Sequence, residues 1–413
     1  MRRMSPQEWV GLALRWTHLI AGIAWIGSSF YFIWLDDHLE RVLAGAPEAA
    51  RDPDLEGSLW MVHSGGFYRV ERRKVGPGRM PATLHWFKWE AAITWLSGAL
   101  LLGLLYYGTG GLYLTDPLVS SVSPRAAVLV GLATIIGGWL VYDALWTGIG
   151  ERRSGVALAI SLVLLGGLVV FLCSTLSGRA AYVHVGAVLG TIMVANVWAR
   201  ILPAQAAMIR ATEDGRTPDF RLGDKAKLRS VHNSYLTFPV LFAMISNHFP
   251  GTWGTSHRAL VLGLLIGLGM GARHLMIGRG PRRLAWAVPM AGALVALVLL
   301  TAPARLEGSG QAPSPAVAAA LAGEGAAPSF AQVQAIVLSR CVACHAQAPR
   351  IAAFGSAPGG VSFEDPARII RYASRIRERV VVTRTMPLGN MTGMSEEERL
   401  VLARWIGHGA KTE

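Results

Sequence analysis

The chain has 413 residues, of which 52% are hydrophobic and only 16% are charged. A soluble protein carries about 25% charged residues, so this composition excludes an ordinary soluble globular chain. The formal net charge of +13 would suggest a nucleic-acid partner in a soluble protein. Here the basic residues cluster in short loops between long apolar runs, so we expect a polytopic membrane protein and no nucleic-acid partner.

Long apolar runs predict eight membrane-spanning helices within residues 1–303, because about 20 helical residues cross the hydrocarbon core. The first run lacks a small-residue cleavage site, so we expect it to be retained as a helix. The predicted class is all-α, with an eight-helix transmembrane bundle ahead of a small soluble domain. The approximate spans are 9–35, 86–107, 125–147, 155–177, 181–203, 231–249, 257–278 and 283–303.

Several ionisable side chains lie inside the predicted spans, where they are costly and usually functional. His18 and His184 begin similar runs, which suggests two related four-helix units with a site at their interface. One hypothesis is that His18 and His184 ligate a haem b. The alternative is that both are interfacial histidines bonded to the backbone or to each other. Glu90, Asp143 and Arg200 would line a substrate or proton path, or pair near the interface.

The composition changes after the last apolar run. Residues 304–328 are rich in Ala, Gly and Pro and predict a flexible linker. Residues 329–413 predict a small helical domain. Capping boxes that begin at Ser329 and Ser395 mark its first and last helices.

The run Cys341-Val-Ala-Cys344-His345 is typical of the attachment site of a c-type haem. The two thiols would bond the haem vinyl groups, and His345 would be the proximal iron ligand. A structural zinc site needs four ligands, and a redox dithiol does not need the adjacent histidine, so both alternatives are less favoured. Together with the predicted helices, the motif gives residues 329–413 the order of parts of a class I-like cytochrome c.

The second axial ligand of such a haem is expected in the loop before the last helix. A methionine ligand raises the potential of the iron relative to a second histidine. We predict Met386, because a Met-Pro pair at this place resembles the distal ligand of class I cytochromes c. Met391 and Met394 compete within the same loop, and the usual role of a methionine is to fill a core.

The haem motif and the loop charges predict the same orientation. Covalent haem attachment takes place outside the bacterial cytoplasm, so the C-terminus and, with eight spans, the N-terminus would both be periplasmic. The loops after the first, third, fifth and seventh helices carry most of the lysines and arginines, as cytoplasmic loops do. The predicted location is the bacterial inner membrane, with the cytochrome c domain in the periplasm.

Four runs of the sequence resemble bacterial membrane-bound urate oxidases (urate hydroxylases) that carry a C-terminal cytochrome c domain. These runs are Trp25–Asp36, His85–Glu90, Ile201–Gln205 and Met386–Met394. The resemblance implies an enzyme of purine catabolism that oxidises urate to 5-hydroxyisourate. It also implies that the electrons pass through the c-type haem to the respiratory chain, to a terminal oxidase or a soluble cytochrome c, without release of hydrogen peroxide.

No urate-binding residue follows from the resemblance, so the pocket is inferred from the substrate. Urate is a planar anion, which needs a cationic group, an amide and an aromatic face. The predicted cytoplasmic helix ends offer Lys88, Trp89, Arg200, Gln205 and Asn233. Glu90 could accept a proton. Electrons from a cytoplasmic site would need a relay across the membrane, whereas a substrate that enters from the periplasm would not need one.

Two other functions stay open at this point. A quinol-oxidising electron-transfer protein with a cytochrome b-like membrane half would be reduced by quinol and would ignore purines. A membrane anchor for a cytochrome c is less favoured, because an anchor needs one helix and no buried polar groups.

Overall fold

The computed structural model describes residues 6–42, 52–117, 119–277, 281–301, 314–351 and 357–412. Helices dominate these residues, which confirms the helical class predicted from the apolar runs. Two regions have separate buried cores. We refer to residues 6–301 as the membrane part and to residues 314–412 as the C-terminal part.

The membrane part is built from long helices joined by short turns. A π-helical turn extends α2 over Gly103–Tyr107, and a second one joins α5 to α6 over Asn196–Ile201. Short 3₁₀ turns at Ser246–His248 and Pro281–Trp286 precede α8 and α10. The helices are α1 (Pro6–His38), α2 (Trp89–Leu102), α3 (Pro124–Gly148), α4 (Ser154–Thr175), α5 (Gly178–Ala195), α6 (Leu202–Glu213), α7 (Phe220–Ile245), α8 (Pro250–Trp253), α9 (Arg258–Ile277) and α10 (Ala287–Thr301).

Seven helical segments of the described chain are long and apolar enough to cross a membrane. They are Pro6–His38, Trp89–Tyr107, Pro124–Gly148, Ser154–Thr175, Gly178–Glu213, Arg258–Ile277 and Leu284–Thr301. The predicted span at 231–249 is not among them. It falls within α7, which buries Arg229, Asn233, Ser234 and Thr237. The eight-span bundle is therefore not confirmed, because α7 carries polar groups that need partners on neighbouring helices.

A small antiparallel sheet, which the all-α prediction omits, follows α1. Its strands are β1 (Glu40–Arg41), β2 (Leu55–His63) and β3 (Gly66–Arg73). Ser64 and Gly65 both have positive φ in the turn between β2 and β3, as a tight hairpin turn requires. A Ser-Gly pair between two runs of strand-forming residues indicates a hairpin. The many basic residues of this segment instead favoured its interpretation as a cytoplasmic loop. Asp36 of α1 forms ion pairs with Arg72 of β3 and Lys227 of α7.

The C-terminal part has a compact apolar core of its own. The capping boxes predicted at Ser329 and Ser395 are both present. Its helices are α11 (Pro315–Leu321), α12 (Phe330–Arg340), α13 (Pro366–Arg371), α14 (Ala373–Ile376) and α15 (Glu396–Gly407). The structure differs from the predicted linker at 304–328, because Val317 and Ala320 of α11 are buried in this core. The rest of that linker before residue 314 lies outside the described residues.

Small residues let the helices of the membrane part approach one another closely. A Cβ added at Gly186 of α5 would lie 2.6 Å from the Cβ of Ala243 on α7. A Cβ added at Gly138 of α3 would lie 2.6 Å from the Val188 side chain of α5. Such contacts stabilise helix pairs in lipid, where the hydrophobic effect between helices is absent.

We predict that Gly186→Leu destabilises the membrane part by about 1–3 kcal/mol, because the new side chain must push α5 away from α7. The matched control is Gly190→Leu on the same helix, since nothing lies within 4 Å of a Cβ at Gly190. Thermal unfolding of both variants in detergent provides the measurement. Equal unfolding temperatures for the two variants would contradict the close approach.

Candidate functional site

A cavity of about 580 Å³ lies between the C-terminal part and one end of the membrane part. Cys341, Cys344, His345 and Met386 all line it. From the membrane part, the lining includes the start of α1, the segment after α2 and Arg179 at the start of α5. The volume falls within the range of roughly 300–1,000 Å³ that cofactor pockets occupy.

The Cys-x-x-Cys-His run forms a tight turn directly after α12. The amides of Cys344 and His345 both donate to the carbonyl oxygen of Cys341, at 3.2 and 2.8 Å. Nδ1 of His345 donates to the carbonyl oxygen of Val361 at 2.8 Å. This bond leaves Nε2 as the nitrogen with a free lone pair, which is the arrangement that a metal-ligating histidine needs.

The methionine loop lies on the same cavity. The buried Arg399 of α15 donates to the carbonyl oxygen of Met386 at 3.0 Å and also to that of Val380. Met391 is 56% exposed, and Met394 is 3% exposed within the core of the C-terminal part. Of the three candidate methionines, Met386 is therefore the one that lines the cavity, and its role as a ligand stays a prediction.

Burial shifts the pKa of each ionisable side chain in the Cys-x-x-Cys-His run. Burial raises the pKa of the Cys341 thiol to about 12, and it also raises the pKa of Cys344. Burial lowers the pKa of His345, although its hydrogen bond to Val361 opposes this shift. Nowhere in the described chain do three or more His, Cys, Asp or Glu side chains form a group that could hold a metal ion.

A second candidate site is a buried polar cluster inside the membrane part. We define the polar cluster as Tyr142, Asp143, Asn196, Arg200, Arg229, His232 and Asn233. These residues come from α3, the π-helical turn at Asn196–Ile201 and α7. Irregular helical turns of this kind are frequent at functional sites.

One carboxylate in the polar cluster faces two guanidinium groups. Asp143 accepts from Nε of Arg200 at 2.8 Å and from Nη2 of Arg229 at 3.2 Å, and Arg200 also reaches its second oxygen. Arg229 is only 5% exposed, and its guanidinium carbon lies 5.0 Å from the centre of the Tyr142 ring. The trio carries one excess positive charge, and its outer member, Arg200, has a side chain that is 42% exposed.

Two buried polar atoms of the cluster have no hydrogen-bond partner. They are Nη1 of Arg229, a donor, and Oδ1 of Asn196, an acceptor. The amide nitrogen of Asn196 is already used, since it donates to the Tyr142 hydroxyl at 3.1 Å and to Asn233 at 2.9 Å. Buried polar atoms are usually satisfied, so this donor and this acceptor can take a polar partner, and the positive charge of the trio favours an anionic one.

The catalytic residues predicted from sequence are only partly brought together. Arg200 belongs to the polar cluster through Asp143. Lys88 lies between two indole rings, 5.3 Å from Trp86 and 5.7 Å from Trp89. Glu90 has a buried Oε2 without a hydrogen-bond partner, and Gln205 is exposed on α6. None of these assignments is tested by their positions, and all of them stay predictions.

Arg229 is not among the residues predicted from sequence, because it precedes the predicted span at 231–249 and so falls in a basic loop. The structure places it inside α7, one turn before Asn233. A signal was available in the sequence: Arg229, His232 and Asn233 share a helical face at the start of a weakly apolar run. A polar face of this kind predicts a helix that is surrounded by partners.

The two membrane histidines have protein partners at both ring nitrogens. His18 donates from Nδ1 to the carbonyl oxygen of Thr94 at 2.8 Å, and its Nε2 lies 3.3 Å from the sulfur of Met244. The fully buried His184 donates from Nδ1 to Ala180, and its Nε2 lies 3.0 Å from the Tyr107 hydroxyl. These contacts fit the interfacial alternative that the sequence left open, and the haem b ligated by His18 and His184 stays a prediction.

Comparison with known proteins gives one finding. The family model described as urate oxidase N-terminal matches residues 5–304, which is most of the chain. No curated protein and no solved structure matches. The matched residues contain the whole membrane part and stop ahead of the Cys-x-x-Cys-His run.

We predict that Cys341→Ser together with Cys344→Ser abolishes covalently bound haem, because each thiol would form one thioether bond. Cys173→Ser is the control, since Cys173 is buried in the membrane part away from the cavity. A pyridine haemochrome spectrum of denatured protein separates covalent from free haem. Covalent haem that persists in the double variant would contradict this assignment.

Proposed function

Because the chain belongs to the urate oxidase N-terminal family, we propose that it is a membrane-bound enzyme that oxidises urate to 5-hydroxyisourate. We also propose that the electrons leave through a c-type haem held by Cys341, Cys344, His345 and Met386. The family supports a urate-related oxidoreductase. The unpaired donor and acceptor beside the excess positive charge in the polar cluster are the observation that carries the proposed substrate site.

The chemistry of the polar cluster fits one edge of urate. Nη1 of Arg229 would donate to the anionic edge of the substrate, and Oδ1 of Asn196 would accept from a ring N–H. The negative charge of urate would offset the second guanidinium beside Asp143, which leaves no uncompensated charge in the bundle. The Tyr142 ring, already in contact with Arg229, offers the aromatic surface.

The reaction removes two electrons and two protons from urate and water, and the oxygen of water becomes the hydroxyl group. The Tyr142 hydroxyl accepts from Asn196 and lies 2.7 Å from Nδ1 of His232. The contact with His232 orients the Tyr142 hydroxyl within the polar cluster. Glu90, with its unpaired Oε2, is the candidate proton acceptor.

The two sites lie at opposite ends of α5. Arg179 on the cavity and Arg200 in the polar cluster are 21 residues apart, which is roughly 30 Å along a helix axis. A c-type haem supplies one-electron acceptance, so each urate requires two transfers. We propose that a relay crosses the bundle. A haem b ligated by His18 and His184 would be the carrier only if Met244 and the Tyr107 hydroxyl released the Nε2 atoms that they contact.

The proposed orientation follows from the same two sites. The cavity lies at the ends of α1 and α5 that the loop charges assign to the periplasm, and the polar cluster lies toward the basic loops. In this arrangement urate is oxidised near the cytoplasm of a bacterium. The electrons leave the C-terminal part for a terminal oxidase or a soluble cytochrome c in the periplasm.

We predict that Arg229→Gln raises the KM for urate at least about tenfold, because it removes a charge-assisted contact to the anion and the buried excess charge. Arg221→Gln on the same helix is the matched control, since Arg221 is exposed and pairs with Asp219. Steady-state kinetics with an artificial electron acceptor measures the effect. An unchanged KM in the Arg229 variant would place urate elsewhere.

The function itself is tested by adding urate to purified, oxidised protein under anaerobic conditions. Reduction of the c-type haem absorbance, with no hydrogen peroxide formed in a parallel aerobic reaction, is the expected result. Reduction by a quinol together with indifference to urate would overturn the proposal and favour a quinol-oxidising electron carrier.

A further inference from the structure

We propose that the membrane part completes the haem cavity: Arg15 and Arg179 bind the haem propionates and so hold the C-terminal part against the bundle. This inference rests on the c-type haem of the proposed function. It adds an anion-binding site that is shared between the two parts of the chain and that the attachment motif does not predict.

The two parts are in direct contact around the cavity. A Cβ added at Gly389 in the methionine loop would lie 3.0 Å from the carbonyl oxygen of Thr115 in the membrane part. A Cβ added at Gly254, after α8, would lie 3.1 Å from the Cβ of Thr383 in the C-terminal part. The C-terminal part is therefore seated against two loops of the membrane part, with the cavity between them.

The cavity wall carries more positive than negative charge. Five arginines line it, and Arg340 among them is already paired with Glu398. The other four are Arg15, Arg179, Arg375 and Arg379, and Glu8 is the one carboxylate among the described lining residues. No ion pair within the described ranges involves any of these four arginines.

Arg179 has neutral partners among the described residues. Its Nε donates to the amide oxygen of Asn247 at 2.9 Å, and its guanidinium lies 4.6 Å from the centre of the Tyr113 ring. Tyr113 and Asn247 fix the plane of the guanidinium, and neither side chain is a carboxylate. Across the cavity, Arg379 lies close enough to Arg179 for the two charges to repel, which lowers the pKa of Arg379 further than burial alone.

Haem propionates match this site in charge. A haem carries two carboxylates on the edge opposite its vinyl groups, and arginine binds carboxylates through paired N–H donors. Cys341 and Cys344 would hold the vinyl edge on the C-terminal part. Arg15 and Arg179 would then meet the propionate edge from the membrane part.

The experiment compares the midpoint potential of the c-type haem between the full-length wild-type protein and its variants. Each protein is titrated spectroelectrochemically without urate. Cations near the iron disfavour its oxidised form. The double variant Arg15→Gln, Arg179→Gln should therefore have an equilibrium constant for haem reduction about tenfold lower, which is a fall of about 59 mV in midpoint potential. Arg179→Lys keeps the charge and should stay closer to the wild type. Arg125→Gln, an exposed arginine at the start of α3 outside the cavity, is the matched control.

Each outcome decides the proposal. A fall in potential with Arg179→Gln that Arg179→Lys largely restores supports it, with Arg125→Gln unchanged. A potential equal to the wild type in the double variant overturns it. If the potential is unchanged but the KM for urate rises, the arginines bind the urate anion instead. If the wild-type protein carries no covalent haem, the proposed function is refuted rather than this inference. If the double variant loses its haem, the potentials of the two single variants decide.

Discussion

The compensation of buried positive charge is the constraint on which the membrane part depends. Asp143 contacts two guanidinium groups: the one of Arg229 is buried, whereas the Arg200 side chain is 42% exposed. The ion pair with Asp143 therefore compensates the charge of Arg229, which water does not reach. One donor of Arg229 and one acceptor of Asn196 stay unpaired, and these two atoms are the basis of the substrate site that we propose.

The same electrostatic argument applies at the other end of the bundle. There the arginines of both parts line the cavity that also contains Cys341, Cys344, His345 and Met386. In a bound haem, the two cysteines would hold the vinyl groups, and His345 and Met386 would ligate the iron. In the function that we propose, the cations at one end bind the substrate anion and those at the other end bind the haem propionates. The C-terminal part would then be a fixed component of the enzyme rather than a tethered carrier.

Local chemistry was readable from the sequence, whereas long-range packing was not. The capping boxes at Ser329 and Ser395 depend on residues within a few positions of one another, so their spacing was sufficient. Arg229 could not be assigned, because its partner Asp143 is 86 residues away. The hairpin at Ser64 was missed because its charged strands resemble a cytoplasmic loop. The span at 231–249 was expected from hydropathy alone, although the polar residues of α7 need the surrounding helices.

A cryo-electron microscopy map of the full-length protein, prepared in the oxidised state with a saturating urate analogue, tests the central claim most directly. The account predicts planar density within hydrogen-bond distance of Nη1 of Arg229 and Oδ1 of Asn196, and a covalent haem in the cavity at the opposite end. A polar cluster in which these two atoms are satisfied by protein groups, with the analogue bound elsewhere, would contradict it.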